Sequence, residues 1–323
     1  MLLSLLLCSA TALGDDGPPP IGDMGIRVAV VQPLASFEGA AVTSLAFSPN
    51  SLVLGRGIDD GRVVLVDVVD GSIVAELPQH LEAVTSVSFS PDGRWLASSG
   101  EDGWVHVTDL EIEAGSFSLL HRGTVHEVEF SPQGTYLATV GDERRVRIWE
   151  TETWEELPAI EGHTGAIFAL AFSPAEDLIV TGAGGDDPSI RLWDLSTGDE
   201  LQHDLYEGTV HDIEYSPRSR DRHASIAGSQ PMIRLWEVDR GAMLHNVGSF
   251  RGAVLDVAYS SLGTALVAVS EDGTLFFTTM PSWTERRRIE FDEPLSAVAF
   301  SASRQYIACG DTGGNLYLLY IPS

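Results

Sequence analysis

The chain has 323 residues, 44% of them hydrophobic, with 47 acidic side chains against 19 basic ones, and every base is arginine. A net charge of −28 argues against nucleic acid as a partner, because neutralising phosphates requires a basic face. The lack of lysine also excludes a P-loop lysine and Schiff-base chemistry.

At the N-terminus an apolar stretch, Met1 to Leu13, leads through Ala10-Thr11-Ala12 to Gly14 and two acids. It reads as an export signal over residues 1–14, with cleavage after Ala12 or Gly14, and is too short to span a bilayer. The mature chain would then be periplasmic or extracellular, without membrane insertion. A mis-assigned start codon would leave it cytoplasmic. Residues 15–26, with Pro18-Pro19-Pro20, read as a flexible lead-in.

From residue 27 to 323 one pattern fills the chain: an aromatic residue, then Ser, usually then Pro. It recurs at Phe47, Phe89, Phe130, Phe172, Tyr215, Tyr259 and Phe300, at spacings of 42, 41, 42, 43, 44 and 41 residues. Units of this size bury a core only by stacking on their neighbours. There is no room for an appended catalytic domain.

Around Phe89 the unit resolves into four strands. Val84, Val87 and Phe89 space a first strand, and Ser90-Pro91-Asp92-Gly93 turns the chain. Trp95 to Ser98 forms a second, Asp102-Gly103 a tight hairpin, Trp104 to Asp109 a third and Phe117 to Leu120 a fourth. Helical spacing of three and four residues is absent over any useful length. The expectation is an all-β fold: a seven-bladed propeller of four-stranded antiparallel blades.

After Phe300 only three strands remain before Ser323. The Val-rich run Arg27 to Gln32 supplies the fourth, so the N-terminal strand should pair into the last blade and leave no open edge. Once the leader is removed, Cys309 is the sole cysteine, in a strand-like Tyr306 to Gly310, and reads as core.

These residues resemble the WD-repeat family, as a bacterial-type, propeller-only member, over about nine-tenths of the chain. Gly162-His163, Ala171-Phe172-Ser173-Pro174 and Ile190-Arg191-Leu192-Trp193-Asp194 make a near-complete signature. His121, Thr139 and Trp149-Glu150 mark another unit. The dipeptide decays to Val66-Asp67 and Thr108-Asp109, and the last two units lose it. The resemblance implies a structural network of His163, Thr181, Asp187 and Trp193, repeated as His121, Thr139 and Trp149, and as His80, Ser98 and Asp102 without the Trp. A Ser, His and Asp set also suits a hydrolase. Its repetition in several blades favours the structural role.

The resemblance further implies that partners dock on the face carrying the hairpins between second and third strands. Residues before the turn acid, by position, are Asp59, Glu101, Asp142, Asp186, Ser229, Glu271 and Asp311. Innermost-strand contact positions are Thr43, Thr85, His126, Phe168, His211, Leu255 and Ser296. Carboxylates around Phe168, Leu255 and two His would attract a basic protein or peptide; the alternative is that the acids merely cap their hairpins. His126 and His211 with neighbouring Glu127 and Asp212 could suggest a metal site, but they belong to non-adjacent blades and lack close ligand spacing, so neither a metal nor another cofactor is expected. The clusters Arg218-Arg220-Arg222 and Arg286-Arg287-Arg288 read as pairing with nearby acids such as Glu285 and Glu290.

The leading expectation is a monomeric, non-enzymatic protein-interaction scaffold. The competing ones are an exported carbohydrate- or cell-surface-binding module and a lactonase-like propeller hydrolase.

Overall fold

The computed structural model describes residues 27–29, 39–112, 115–218, 223–238, 242–280 and 283–321. They form seven four-stranded antiparallel sheets. Blades 1 to 6 occupy residues 42–76, 84–120, 125–161, 167–205, 210–247 and 254–290. Blade 7 joins residues 295–320 to Arg27–Ala29, in the order outer strand first: 27–29, Leu316–Tyr320, Tyr306–Asp311, Leu295–Phe300. The register Arg27↔Tyr320, Val28↔Leu319 and Ala29↔Leu318 closes the ring, as the strand count requires. Residues 1–26 and 30–32, including the leader and the rest of the Arg27 to Gln32 run, lie outside the described residues.

The recurrent Ser has a local cause. In blade 2 the Ser90 Oγ accepts the backbone N–H of Trp95 at 2.8 Å, while Ser90 N donates to Trp95 O at 2.9 Å. The same hydroxyl closes the first turn through Ser48, Ser131, Ser173, Ser260 and Ser301. All of these serines are buried, so the bond satisfies a donor and an acceptor that water cannot reach. The turn then needs a left-handed residue. Gly93 supplies it at φ 75° in blade 2, and Glu176 takes it at φ 57° in blade 4 at some steric cost.

The aromatic residue before that Ser packs across a blade junction. Phe130 joins Val105 and Val107 of blade 2, and Phe172 joins Ala138 and Ile148 of blade 3. The core is therefore seven separate junctions. The closing one unites Val42, Leu45 and Leu54 of blade 1 with Ala299, Leu316 and Leu318 of blade 7. Arg56, almost fully buried there, donates to Gly314 O at 2.8 Å, and burial lowers its pKa to about 10. Cys309 is wholly buried and burial pushes its thiol up, which leaves it a core residue rather than a nucleophile. No helix among the described residues is long and apolar enough to cross a membrane.

Candidate functional site

Every inner strand begins with a β-bulge at the same place. The pairing skips one residue between Val42 and Ser44, Val84 and Ser86, Val125 and Glu127, Ile167 and Ala169, Val210 and Asp212, Val254 and Asp256, and Leu295 and Ala297. The skipped residues are Thr43, Thr85, His126, Phe168, His211, Leu255 and Ser296. A bulge redirects the side chain of its extra residue. All seven line one cavity of about 310 Å³, built from the inner strands of all seven blades. The inner-strand positions expected from the sequence thus meet at one end of a central channel.

At this end His126 stacks on Phe168 from the next blade, with ring centroids 4.3 Å apart. Its Nε2 lies 3.2 Å from Asp142 Oδ1. Burial lowers the pKa of His126, and Asp142 and Glu101 oppose that shift. Burial also lowers that of His211, against Glu271. Both rings therefore favour the neutral form at neutral pH.

Outside this cluster, Asp59, Glu101, Asp142 and Glu271 stand exposed on the hairpins. Their backbone N–H groups donate to Ala41, Ala83, Thr124 and Ala253 respectively, so the four are equivalent positions. Ser229 holds that place in blade 5, with its N–H on Thr209 O.

Two assignments need correction. In blade 4 the equivalent bond comes from Gly184 to Ala166 O. Asp186 stands exposed on a longer hairpin, because Gly184 to Pro188 separate strands that Glu101 to Gly103 separate in blade 2. In blade 7 the equivalent donor is Thr312, bonded to Pro294 O, and Asp311 is the last residue of its strand. Asp311 is fully buried, its carboxylate accepting from Asn315 Nδ2 and Tyr317 Oη at 2.8 Å. It braces blade 7 and is not a surface contact.

Deeper in the channel lie five carboxyls, Glu127, Glu129, Asp212, Glu214 and Asp256; the sequence reading weighed Glu127 and Asp212 only as neighbours of the two His and missed the other three. Their signal was there, as acids three and one residues before the aromatic anchor. Each is tied to the next blade. Glu127 Oε2 accepts from Leu170 N at 2.5 Å, Asp212 from Val257 N at 2.9 Å and Asp256 from Val298 N at 2.7 Å. Glu129 and Glu214 accept from Phe172 and Tyr259 N–H in the same way. Ser44 and Ser88 do this job in blades 1 and 2.

Burial and mutual repulsion push these acids up, Glu214 to about 8. The carboxyls of Asp212 and Asp256 hydrogen-bond each other across blades 5 and 6. Burial raises both, and the Asp212 charge adds to the rise of Asp256, so the pair shares a proton. These groups brace the inner strands.

The remaining expected residues lie between blades, away from the channel. His163 Nδ1 is 2.8 Å from Asp187 Oδ2 and its Nε2 2.7 Å from Thr181 Oγ1, which also accepts from Trp193 Nε1 at 2.8 Å. Burial works against the Asp187 charge, but bonds from Thr164 N, Ser189 and His163 hold its pKa well below the carboxylate range. His121 faces Thr139 at 3.4 Å and Trp149 edge-on at 5.7 Å; burial, helped by Arg147, lowers its pKa to about 4. His80 sits 3.0 Å from Asp102 and 2.9 Å from Ser98.

The Ser98 hydroxyl is 2% exposed as a residue, so no acyl group reaches it. His80, Asp102 and His106 do lie within metal-ligating distance of one another, but both His80 nitrogens are already engaged by Asp102 and Ser98. Of the arginine clusters, Arg288 pairs with Glu285 at 3.2 Å; Arg220 and Arg222 lie outside the described residues.

Comparison with known proteins adds a lineage. The WD40 family, described as "WD domain, G-beta repeat", matches residues 71–109, 117–150 and 154–194. Each match starts on or just before one blade's outer strand, or in the loop leading to it, and ends on the third strand of the next. Eukaryotic translation initiation factor 3 subunit I from Schizosaccharomyces pombe is 34% identical over 71 residues, 22% of this chain and 21% of that protein. The protein of that name from Aspergillus terreus is 24% identical over 174 residues, 49% of this chain and 51% of its own length. The one from Neosartorya fischeri is 23% identical over 176 residues, again 49% and 51%. The matches thus span between about a fifth and a half of these relatives.

They overturn the export reading. Relatives named for translation initiation are not exported proteins, so residues 1–14 are not retained as a signal peptide, nor the mature chain as periplasmic or extracellular. The reading as an exported carbohydrate- or cell-surface binder falls with it. The relatives are eukaryotic, so the bacterial-type qualifier has no support either. The described residues form a seven-bladed β-propeller, and the chain carries three matches to the WD40 repeat.

Proposed function

We propose that the protein is a non-catalytic, monomeric interaction subunit of a translation-initiation assembly. It binds a basic segment of a partner protein at the hairpin-face end of its channel. The observation that carries this reading is the convergence of the seven bulge residues inside the exposed acids Asp59, Glu101, Asp142, Asp186 and Glu271. A rigid ring presents these groups without a folding cost on binding, which favours affinity. Carboxylates at its rim steer a cationic segment and fix its register, and Phe168 with His126 offers a guanidinium a flat aromatic face.

Catalysis is not part of the proposal, because the buried acids are committed to blade-to-blade bonds and the exposed Ser118, 2.7 Å from His106 Nδ1, sits on the outer strand of blade 2 away from the channel. The names of the relatives support membership of an initiation complex. The test is affinity capture with the intact chain from its source cells, at about 0.1 M and again at high salt, where exposed pairing is screened. Recovery of initiation-factor subunits at low salt only is the expected result. Their absence at both salts rejects the proposal.

A further inference from the structure

A second surface, on the opposite side of the ring, has no role in that reading. At the junction of blades 2 and 3 aromatic side chains cover the apolar part of the outer gap, and the cavity of about 490 Å³ left there runs over polar groups such as Ser90, Asp92, Arg94, Gln133 and Glu152. Trp149, from the third strand of blade 3, enters the shared core. Trp154, from the loop after that strand, is held at φ 58° and lies 4.7 Å from Phe117 and 5.2 Å from Trp95. A left-handed tryptophan is a strained choice, which the covering of this gap offsets.

At the preceding junction, between blades 1 and 2, both fillers are missing. Thr108 stands where Trp149 stands one blade later, since Leu96↔Thr108 is the pairing that Leu137↔Trp149 repeats. The following loop, residues 110–116, contains no aromatic residue. The gap remains open as a groove of about 490 Å³, within the size of small-ligand pockets. Val53, Leu65, Val74, Leu77, Phe89 and Leu110 supply its apolar wall. Exposed Glu76 and Asp92 stand at its edge, and Asp109 within it is neutralised by Arg94 at 2.8 Å.

We propose that this groove receives a tryptophan or phenylalanine side chain from a basic segment of a partner protein. The internal template identifies the shape: one junction away, the chain covers the same gap with Trp154. The acids at the edge, on a chain of net charge −28, select a cationic flank. The groove meets the Ser-Pro turns through Pro49 and Gly93, so it lies away from the hairpin face and both sites can be filled together.

The probe is a synthetic peptide, acetyl-Gly-Arg-Gly-Trp-Gly-Arg-Gly-amide, titrated into the full chain. Methyl resonances of Val74 and Leu77 report on the groove. The expected result is saturable shifts at these methyls and roughly tenfold weaker binding when Ala replaces the peptide Trp. Thr108→Trp should fill the groove from inside and abolish the shifts with the melting temperature kept or raised. Should that variant not fold, Val74→Arg supplies the same block from the surface. Phe168→Ala should leave these shifts intact, which separates this site from the hairpin-face site. Unmoved methyls, undiminished binding by a folded Thr108→Trp protein, or binding seen only after removal of residues 1–26 overturns the proposal.

Discussion

The imidazole of His126 lies 4.3 Å from the ring of Phe168, the planes 29° apart, and the two residues come from different blades. Each is the bulge residue of its inner strand. The pair therefore exists because two independent backbone irregularities fall at the same height in the ring. Its consequence is an aromatic surface edged by Asp142, suited to a cation.

That contact sets a pH dependence. Burial lowers the pKa of His126 below its ordinary value near 6.5. Binding of a basic peptide should be flat from pH 8 to 6.5 and weaken below, as the imidazole gains a charge that repels the ligand. Calorimetric titration at pH 5, 6, 7 and 8 checks this, and His126→Gln should flatten the upper part of the fall.

The channel acids act on stability in the opposite direction. Glu214 is raised to about 8 in the folded chain from about 4.5 unfolded. A raised folded pKa favours folding most at low pH, and this advantage is lost as pH rises from about 4.5 through about 8. Glu214→Gln keeps an acceptor for Tyr259 N–H without the charge. Its melting temperature should exceed the parent's at pH 9 and match it at pH 4.5. Equal melting at both pH values would remove the channel acids as a source of strain.

Removing the buried ring of His163 takes one hydrogen-bond partner each from Asp187 and Thr181, at a cost of about 0.5–1.5 kcal/mol each. His163→Leu should therefore melt several degrees lower. In blade 2, Ser98→Ala should lower the melting temperature as well and change no hydrolytic rate on an ester panel. An ester hydrolysis abolished by Ser98→Ala would instead make the His80, Ser98 and Asp102 set catalytic.

Closure of the ring rests on three residue pairs at Arg27–Ala29. Deleting residues 26–34 uncovers the strand Leu316–Tyr320 as an open edge. The shortened chain should melt earlier and self-associate, as followed by calorimetry and sedimentation. An unchanged monomer of unchanged melting temperature would show that the blade needs no fourth strand.

Period and composition made the blades legible, because a beat of aromatic and Ser at fixed spacing corresponds to one inter-blade contact and one hairpin closure. The bulge positions could be placed by counting back four residues from each anchor, and all seven converge. Counting failed on two hairpins. Asp186 sits on a loop extended by Gly184 and Gly185, and Asp311 is the last residue of a six-residue strand, in the place of Gly100 and one position before the hairpin. The bracing role of the channel acids was not legible, because an acid on a strand reads as solvent-facing, and Glu127 and Asp212 drew attention only as neighbours of His126 and His211. Only the ring geometry turns Glu127 and Asp212 inward, where the neighbouring blade's free N–H groups wait. The groove at Thr108 was equally hidden, since a lost Trp reads as decay of a motif rather than as space.

The bulge residues and hairpin acids are proposed to hold a cationic partner segment. Fluorescence anisotropy of a labelled Arg-Gly repeat peptide tests it most directly, with the parent chain and the Phe168→Ala, Asp142→Asn, Asp186→Asn triple variant at two salt concentrations. Saturable binding by the parent, weakened by salt, and a loss of at least roughly tenfold in the variant are the expected results. Equal binding by a folded triple variant would contradict it.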